Sequence, residues 1–436
     1  MNRRDFVKLL GASGLAVSAP YGLSSKAFGA GDVNQFFVMV HAAGGWDPTS
    51  LCDPKGNAER SDGKGPVNHF LPEQILTVGG SPIKYAPFPD SNLADNTLRT
   101  DMALNSFDAF FNTYERDLRI INGIDTNTNS HEGGTRYVWS GIPEDKRQPA
   151  FAALVASIYA PSKAMAFMSN GGYDETASLI APTRAGSTSS FQKLTHPNRY
   201  DMENENALYL NSDVMAHVEQ AKLERKNRLI QSATLPQRKR SISQLFTVSM
   251  GDNNLDSLVS YLPESVSSGI RGQAEMAAAA FRSGLAVSAN LVSGGFDTHN
   301  THDRNHLYYL ARLVDGVDHL MKELERLGIR DKTTVLVSSD FGRTPYYNGG
   351  NGKDHWPVTS MLALGKGVVG NSVVGATDAN VNALPVNTTT LQADANGTKI
   401  TPQHIHAALR QMAGISEHKN SRQFPLGNSS LNIFGA

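Results

Sequence analysis

Short runs of apolar residues, rich in Val, Ile and Leu, recur along the chain and are bounded by polar or glycine-containing segments. Strands that are buried on both faces of a parallel sheet have this near-continuous apolar character, and glycines beyond the run let the chain turn sharply. The first run, for example, leads to Gly44-Gly45 and the third leads to Gly294-Gly295. The pattern predicts strands at residues 36–40, 118–121, 285–292, 333–337 and 361–364.

A long helix is predicted from about residue 303 to residue 327, because apolar residues there repeat at intervals of three and four. Gly328 supplies the stop signal. Strand, helix and strand in alternation predict an α/β fold with a mostly parallel central sheet flanked by helices. Residues 207–282 are largely helical and polar instead, with charge runs at 222–228 and 238–240. We interpret them as a helical insertion into that fold.

The first thirty residues have the composition of an export signal. Arg3-Arg4 precedes Phe6 and Lys8, and a mild apolar stretch over residues 9–19 leads to small residues at 27–30. Paired arginines of this kind are typical of a twin-arginine signal, and the alternative is a short cytoplasmic amphipathic arm. The stretch is shorter than the ~20 apolar residues of a spanning helix, and no later segment reaches that length. We therefore expect a signal over residues 1–30 and a soluble, periplasmic or secreted domain over 31–436.

The composition narrows the chemistry further. A net charge of −1 at pH 7 over 436 residues argues against a nucleic-acid partner. Cys52 is the only cysteine, which excludes an intrachain disulfide and a thiolate metal cluster. Any metal ion is therefore expected to be held by carboxylates, imidazoles and hydroxyls.

Potential metal ligands follow the ends of separate predicted strands, and ligands of open α/β sheets bind beyond the carboxyl ends of strands. Each residue alone has a simpler interpretation as a turn residue or a helix cap, so their shared position carries the prediction. Carboxylate and imidazole together suit zinc, manganese or iron, whereas a carboxylate-rich site also admits magnesium or calcium. His306 and His319, on the long helix, are interpreted as packing or surface residues. The candidates are Asp47, Asp297, His299, His302, Asp340, Asp354 and His355.

The ordered motifs of this chain resemble those of domain-of-unknown-function family 1501. That family is placed in the alkaline phosphatase-like superfamily, and its members often carry twin-arginine signals. The resemblance covers nearly the whole mature chain and implies an alkaline phosphatase-like fold. The motifs are Gly44-Gly45-Trp46-Asp47, Gly294-Gly295-Phe296-Asp297-Thr298-His299, Ser339-Asp340-Phe341-Gly342-Arg343-Thr344-Pro345 and Asp354-His355-Trp356.

The resemblance also implies a nucleophile at a helix start after the second strand. Within residues 128–135 the expected nucleophile is Ser130, with Thr135 as the alternative. A serine at a helix start lies near the positive end of the helix dipole, which favours an anionic group. Arg343 is expected either to bind the non-bridging oxygens of a phosphate or sulfate ester or to form an ion pair with a neighbouring carboxylate.

Two clusters of metal ligands are implied by the same resemblance, and two cations about 4 Å apart can clamp an anionic ester. The first cluster would contain Asp297, His355 and either His299 or His302, and the second would contain Asp47, Asp340 and the nucleophile oxygen.

The chain departs from the superfamily pattern at one ligand, because Asp340 is followed by Phe341 rather than by histidine. Such a site is expected to bind a single divalent ion, to recruit His131 as a substitute, or to be inactive. A sulfatase-type modification motif is missing around Ser130. We therefore expect an exported metal-dependent hydrolase or transferase acting on a small phosphate, phosphonate or sulfate ester. The alternative is a non-catalytic exported binding or assembly protein that retains the alkaline phosphatase-like fold.

Overall fold

The computed structural model describes residues 35–60, 62–88, 107–144, 147–163, 165–184, 198–201, 204, 206–249, 255–427 and 430–435. The export signal expected over residues 1–30 lies outside the described residues.

Twelve strands occur among the described residues, and eight of them form one large sheet. The order of that sheet is β12-β4-β11-β8-β1-β7-β5-β6. Neighbouring strands run parallel except around β11, which is antiparallel to both β4 and β8. In chain order the strands are β1 (Phe36–Ala43), β2 (Leu76–Thr77), β3 (Lys84–Tyr85), β4 (Leu118–Asp125), β5 (Phe167–Ser169), β6 (Pro182–Arg184), β7 (Ser288–Gly294), β8 (Thr333–Ser339), β9 (Gly342–Arg343), β10 (His355–Trp356), β11 (Val358–Gly365) and β12 (Ser372–Val374).

Helices connect and cover these strands. Helix α8 matches the predicted long helix within one residue at each end, and Gly328 follows it with a positive φ of 65°. In chain order the helices are α1 (Phe107–Tyr114), α2 (His131–Ser140), α3 (Phe151–Tyr159), α4 (Ser212–Ser232), α5 (Pro236–Ser249), α6 (Leu255–Tyr261), α7 (Gly269–Arg282), α8 (His302–Arg326), α9 (Pro402–Met412) and α10 (Lys419–Arg422).

The five predicted strands all exist, and the predicted fold class is confirmed. The central strands β1 and β8 are buried over nearly their whole length, as expected for strands covered on both faces. Fully buried side chains such as Val38, Leu291 and Val335 each contribute roughly 1.5–3 kcal/mol of burial free energy. The short strands β5, β6 and β12 were not predicted.

The stretch interpreted as a helical insertion contains α4, α5, α6 and α7. Of these, α4 is largely exposed, with Ile230 as its buried residue. Helix α7 differs, because an alanine-rich face that includes Ala274 and Ala277 is buried against β7 and α8. Helix α7 therefore packs in the layer that covers the sheet, and the interpretation of residues 207–282 as a helical insertion stays a prediction. No helix in the described ranges is long and apolar enough to cross a membrane.

Candidate metal centre

Four strands deliver polar side chains to one edge of the sheet. Strands β1, β4, β7 and β8 end at this edge, and the antiparallel β11 begins there. The loops beyond β1, β7 and β8 approach closely at Gly44 and Gly45, which have positive φ angles of 116° and 78°. A Cβ atom at Gly44 would lie 2.6 Å from the Asp297 backbone nitrogen, and one at Gly45 would lie 2.5 Å from the Phe341 ring. The glycine pair is therefore required for these loops to meet.

Three imidazoles surround the half-exposed carboxylate of Asp297. Its Oδ1 lies 2.9 Å from His299 Nε2 and 3.1 Å from His355 Nε2. Its Oδ2 lies 3.5 Å from His131 Nε2. The Nε2 atoms of His299 and His355 are themselves 3.1 Å apart. Asp297, His299 and His355, which the sequence predicts as ligands, thus lie together, and His131 joins them.

Each of these imidazoles is held through its other ring nitrogen. The Nδ1 of His131 lies 2.5 Å from Asp340 Oδ2, and that of His299 lies 2.7 Å from Asp354 Oδ1. The Nδ1 of His355 lies 2.8 Å from the backbone oxygen of Asn129. All three partners accept hydrogen bonds, so Nδ1 carries the proton in each ring. The Nε2 lone pairs therefore remain available, as in histidines that bind metals.

The donor set fits a divalent transition metal. The ligand atoms of His131, Asp297 and His355 lie within 4.8 Å of one another. Tetrahedral ligands about 2.0–2.1 Å from zinc are separated by about 3.3 Å, close to the observed spacings among His299, His355 and Asp297. Three nitrogens and one carboxylate oxygen are also ligands that zinc, manganese and iron accept.

Electrostatics favour ionised carboxylates here. Partial burial acts to raise the pKa of Asp297, but the hydrogen bond from Arg343 and the nearby imidazoles of His355 and His299 outweigh it and lower the pKa to about 2. Burial likewise acts against ionisation of Asp340, yet the hydrogen bond with His131 and nearby charges lower its pKa. The same hydrogen bond to Asp340 raises the pKa of His131. Asp340 is only 1% exposed and also accepts from the Gly45 backbone N–H at 2.6 Å. It is placed to orient His131 rather than to reach solvent.

Asp47 and His302 lie apart from this cluster, although the sequence predicts them as metal ligands. Both are fully buried, and His302 Nε2 lies 3.1 Å from Asp47 Oδ2. The Asp47 carboxylate also forms an ion pair with Lys353, whose Nζ lies 2.6 Å away. Burial opposes ionisation of Asp47, but Lys353 and the neighbouring histidines hold its pKa well below the usual range. Of the alternatives His299 and His302, the structure places His299 at Asp297, because His302 begins α8 and faces the interior.

Arg343 adopts the ion-pair alternative. Its guanidinium is buried and donates to Asp297 Oδ1 at 2.6 Å. The other donors bind the backbone oxygens of Gly44, Gly45 and Lys353. Four of its five N–H groups are used in these bonds and the side chain is fully buried, so Arg343 fixes the loops around the cluster.

Ser130 is the N-cap of α2, and its exposed side chain accepts a hydrogen bond from Gly133 N at 3.4 Å. Thr135, the alternative nucleophile, lies inside α2. Ser130 lines a cleft of about 390 Å³ at the start of this helix. The other lining residues are Thr126, Asn127, Thr128, Glu132, Gly133, Arg136, Tyr137 and Pro143.

Two residues have a larger part in the site than the sequence indicated. His131 was considered as an acid, a base or an additional ligand and was left out of the two ligand clusters, although it follows a predicted strand as the other candidates do. Lys353 was not considered at all, because its interaction with Asp47 spans 306 positions of the chain. Asp354 was named as a candidate ligand, and the structure shows that it holds His299.

The fold and the cluster define an α/β protein with a histidine–aspartate group at the carboxyl edge of its central sheet. Residues 35–427 match the family model described as "Protein of unknown function (DUF1501)". The chain therefore belongs to the DUF1501 family, as its motifs indicated.

Several solved structures are similar to this chain, with low TM-scores and low sequence identity. They include the lipoteichoic acid synthase LtaP from Listeria monocytogenes, with 7% identity, a TM-score of 0.37 and coverage of 88% of this chain and 73% of that chain. The phosphonate monoester hydrolase of Agrobacterium radiobacter has 10% identity, a TM-score of 0.34 and coverages of 87% and 74%. The alkaline phosphatase from the Antarctic bacterium TAB5 has 8% identity, a TM-score of 0.31 and coverages of 78% and 93%. A search of curated proteins found no match.

Proposed function

We propose that this chain is an exported, metal-dependent hydrolase or transferase acting on phosphate, phosphonate or sulfate esters. The observation that carries the proposal is the arrangement around Asp297. Three imidazoles turn Nε2 toward one carboxylate, and each Nδ1 is held by an acceptor. Ligands oriented by such partners are typical of metal sites.

In this proposal a divalent ion is held by Asp297, His131, His299 and His355, and when bound it supplies Lewis-acid polarisation of an ester oxygen. Asp340 keeps His131 in one orientation and one tautomer. The buried Arg343 keeps Asp297 ionised and in place.

Ser130 is the proposed nucleophile. Its oxygen forms the new bond to phosphorus or sulfur, the bond to the leaving alcohol oxygen breaks, and the serine proton ends on that alcohol. Water or a second alcohol then takes the group from Ser130 and restores the hydroxyl. The exposed N-cap position favours an anionic group there, because the first backbone N–H groups of α2 point toward it. The cleft beside Ser130 provides room for the remainder of a small substrate.

A second candidate, a non-catalytic exported binding or assembly protein, is favoured by one observation. Arg343 donates to protein atoms through all three guanidinium nitrogens, which removes the cation expected to hold an anionic ester. In this candidate the metal ion stabilises the loops around Asp297 and has no catalytic role.

Export through a twin-arginine signal belongs to the proposal because of the pattern at residues 1–30. A fusion of residues 1–30 to a reporter that functions only after export in folded form tests it. Replacement of Arg3-Arg4 by Lys-Lys should abolish export, and export that persists unchanged would contradict the twin-arginine route.

The catalytic proposal is tested by measuring bound metal and turnover in the purified protein. Aryl phosphates, phosphonates and sulfates are the substrates, and Asp297→Asn and Ser130→Ala are the test variants. His217→Ala, at an exposed histidine on α4, is the matched control. We expect Asp297→Asn to lose metal and activity, Ser130→Ala to lose activity alone, and the control to keep both. Bound metal without turnover across the panel would favour the second candidate, and a protein that binds no metal would refute both uses of the site.

A further inference from the structure

The carboxylate of Asp47 is saturated by donors from its own chain. Its Oδ1 accepts from the backbone N–H and the hydroxyl of Thr49 at 2.9 and 2.7 Å. Its Oδ2 accepts from Ser50 Oγ at 3.1 Å, His302 Nε2 at 3.1 Å and Lys353 Nζ at 2.6 Å. Five donors share two oxygens that offer about four lone-pair sites. No lone pair of this carboxylate is left for a metal ion.

The two nearby histidines, His302 and His306, also have both ring nitrogens in hydrogen bonds. The Asp47 backbone N–H donates to His306 Nε2 at 2.7 Å, which requires the His306 proton on Nδ1. That Nδ1 lies 2.9 Å from Thr298 Oγ1, and the same hydroxyl lies 2.8 Å from His302 Nδ1. His306 thus donates to Thr298, Thr298 donates to His302, and His302 donates through Nε2 back to Asp47. The hydrogen bonds form a closed ring in which both imidazoles are neutral and satisfied.

Lys353 supplies the positive charge that balances this ring. Its side chain is fully buried, with Nζ also 3.4 Å from Thr49 Oγ1 and 5.0 Å from the centre of the Tyr347 ring. The ammonium therefore has a carboxylate, a hydroxyl and an aromatic face as partners. A dication in its place would add an uncompensated charge to an interior that is already neutral.

We infer that Lys353 is the permanent cation of Asp47 and that the Asp47 cluster takes no metal ion. A further consequence, which rests on the proposed function, is that the centre at Asp297 holds the only catalytic ion. Asp47, His302 and His306 then support the loops that carry the ligands. The family resemblance implies two metal ions, and the inference lowers that number to one.

Zinc stoichiometry tests the inference. Chelator-treated protein is titrated with Zn²⁺, freed of excess metal and analysed for bound zinc. We expect one ion per chain in the unmodified protein, one in the neutral double variant Asp47→Asn/Lys353→Met, and none in Asp297→Asn. Two ions in the unmodified protein, with one lost in the double variant, would overturn the inference. A single ion that is lost in the double variant but kept in Asp297→Asn would also overturn it.

A second measurement, made without metal, separates this inference from the proposed function. Lys353→Met leaves a buried carboxylate uncompensated, whereas the double variant removes both charges. We therefore expect the thermal midpoint of chelator-treated Lys353→Met to lie below that of the double variant. Lys222→Met, at a partly exposed ion pair with Glu219 on α4, is the control and should change the midpoint little. If no zinc binds anywhere, the proposed function fails, and this order of midpoints alone decides the inference. A single variant as stable as the double variant would overturn it.

Discussion

Acidification should destabilise this protein through His406, a histidine on α9 that is remote in sequence from the proposed ligands. Its side chain is 1% exposed, and Nε2 donates to the backbone oxygen of Val138 at 2.8 Å. Its ring packs edge-on against Phe151 with centroids 6.0 Å apart. Burial lowers the pKa of His406 from 6.5 to about 3, so the ring is neutral in the folded protein at pH 5.

The sign of the effect follows from proton binding. Below pH 6.5 the unfolded chain protonates His406 while the folded chain does not, so stability falls as the pH falls from 6.5 toward 3. Between pH 8 and pH 5 this single residue should cost about 2 kcal/mol of unfolding free energy. That figure depends little on the folded pKa as long as it lies well below 5. Other buried histidines with lowered pKa, including His302 and His306, act in the same direction.

Urea unfolding of the chelator-treated protein at pH 8, 6.5 and 5 measures the total effect, and His406→Gln isolates the share of one residue. Glutamine retains a side-chain donor for Val138 but does not titrate. The variant should be less stable at pH 8, yet it should lose about 2 kcal/mol less than the unmodified protein between pH 8 and pH 5. Parallel stability curves for the two proteins would refute the assignment of a neutral buried His406.

Two further predictions concern local geometry. Gly134→Ala would place a Cβ atom 2.3 Å from the Asp340 backbone oxygen. We expect the unfolding free energy, measured by chemical unfolding, to fall by roughly 1–3 kcal/mol, and we expect weaker zinc binding because His131 is displaced. An unchanged zinc affinity would contradict the role given to Asp340. Asn211→Ala removes the N-cap of α4, where the Asn211 side chain accepts a hydrogen bond from Val214 N at 3.0 Å. We expect the local stability of the helix to fall by about 1 kcal/mol, which should be detected as faster amide exchange in the first turn of α4. Zinc affinity should be unaffected.

Much of the fold could be predicted from the sequence because its central strands are buried on both faces. Strands β1 and β8 then appear as uninterrupted apolar runs, and α8 shows one periodic apolar stripe. Strands β5 and β6 have three residues each, which is too short for either signature. The direction of β11 also could not be predicted, because an apolar run looks the same in either orientation. Its antiparallel pairing depends on the path of the chain between residues 340 and 358.

The candidate site was predictable only where ligands follow strand ends. Asp297, His299 and His355 meet as expected, since the loops after β7 and before β11 share one edge of the sheet. The ion pair that Asp47 forms with Lys353 was not predictable. The environment of Asp47 depends on Lys353 and His302, and a sequence gives no sign that a lysine will be fully buried beside a particular carboxylate. The role of Arg343 was left between two alternatives for the same reason, and only its backbone partners decide.

Three consecutive residues in the segment before β11 reach three different partners. Lys353 pairs with Asp47, Asp354 holds His299, and His355 faces Asp297. Charge balance in the interior and ligand placement at the surface therefore share one short stretch of backbone. Displacement of this stretch of backbone should therefore disturb the interior charge pair and the metal ligands together.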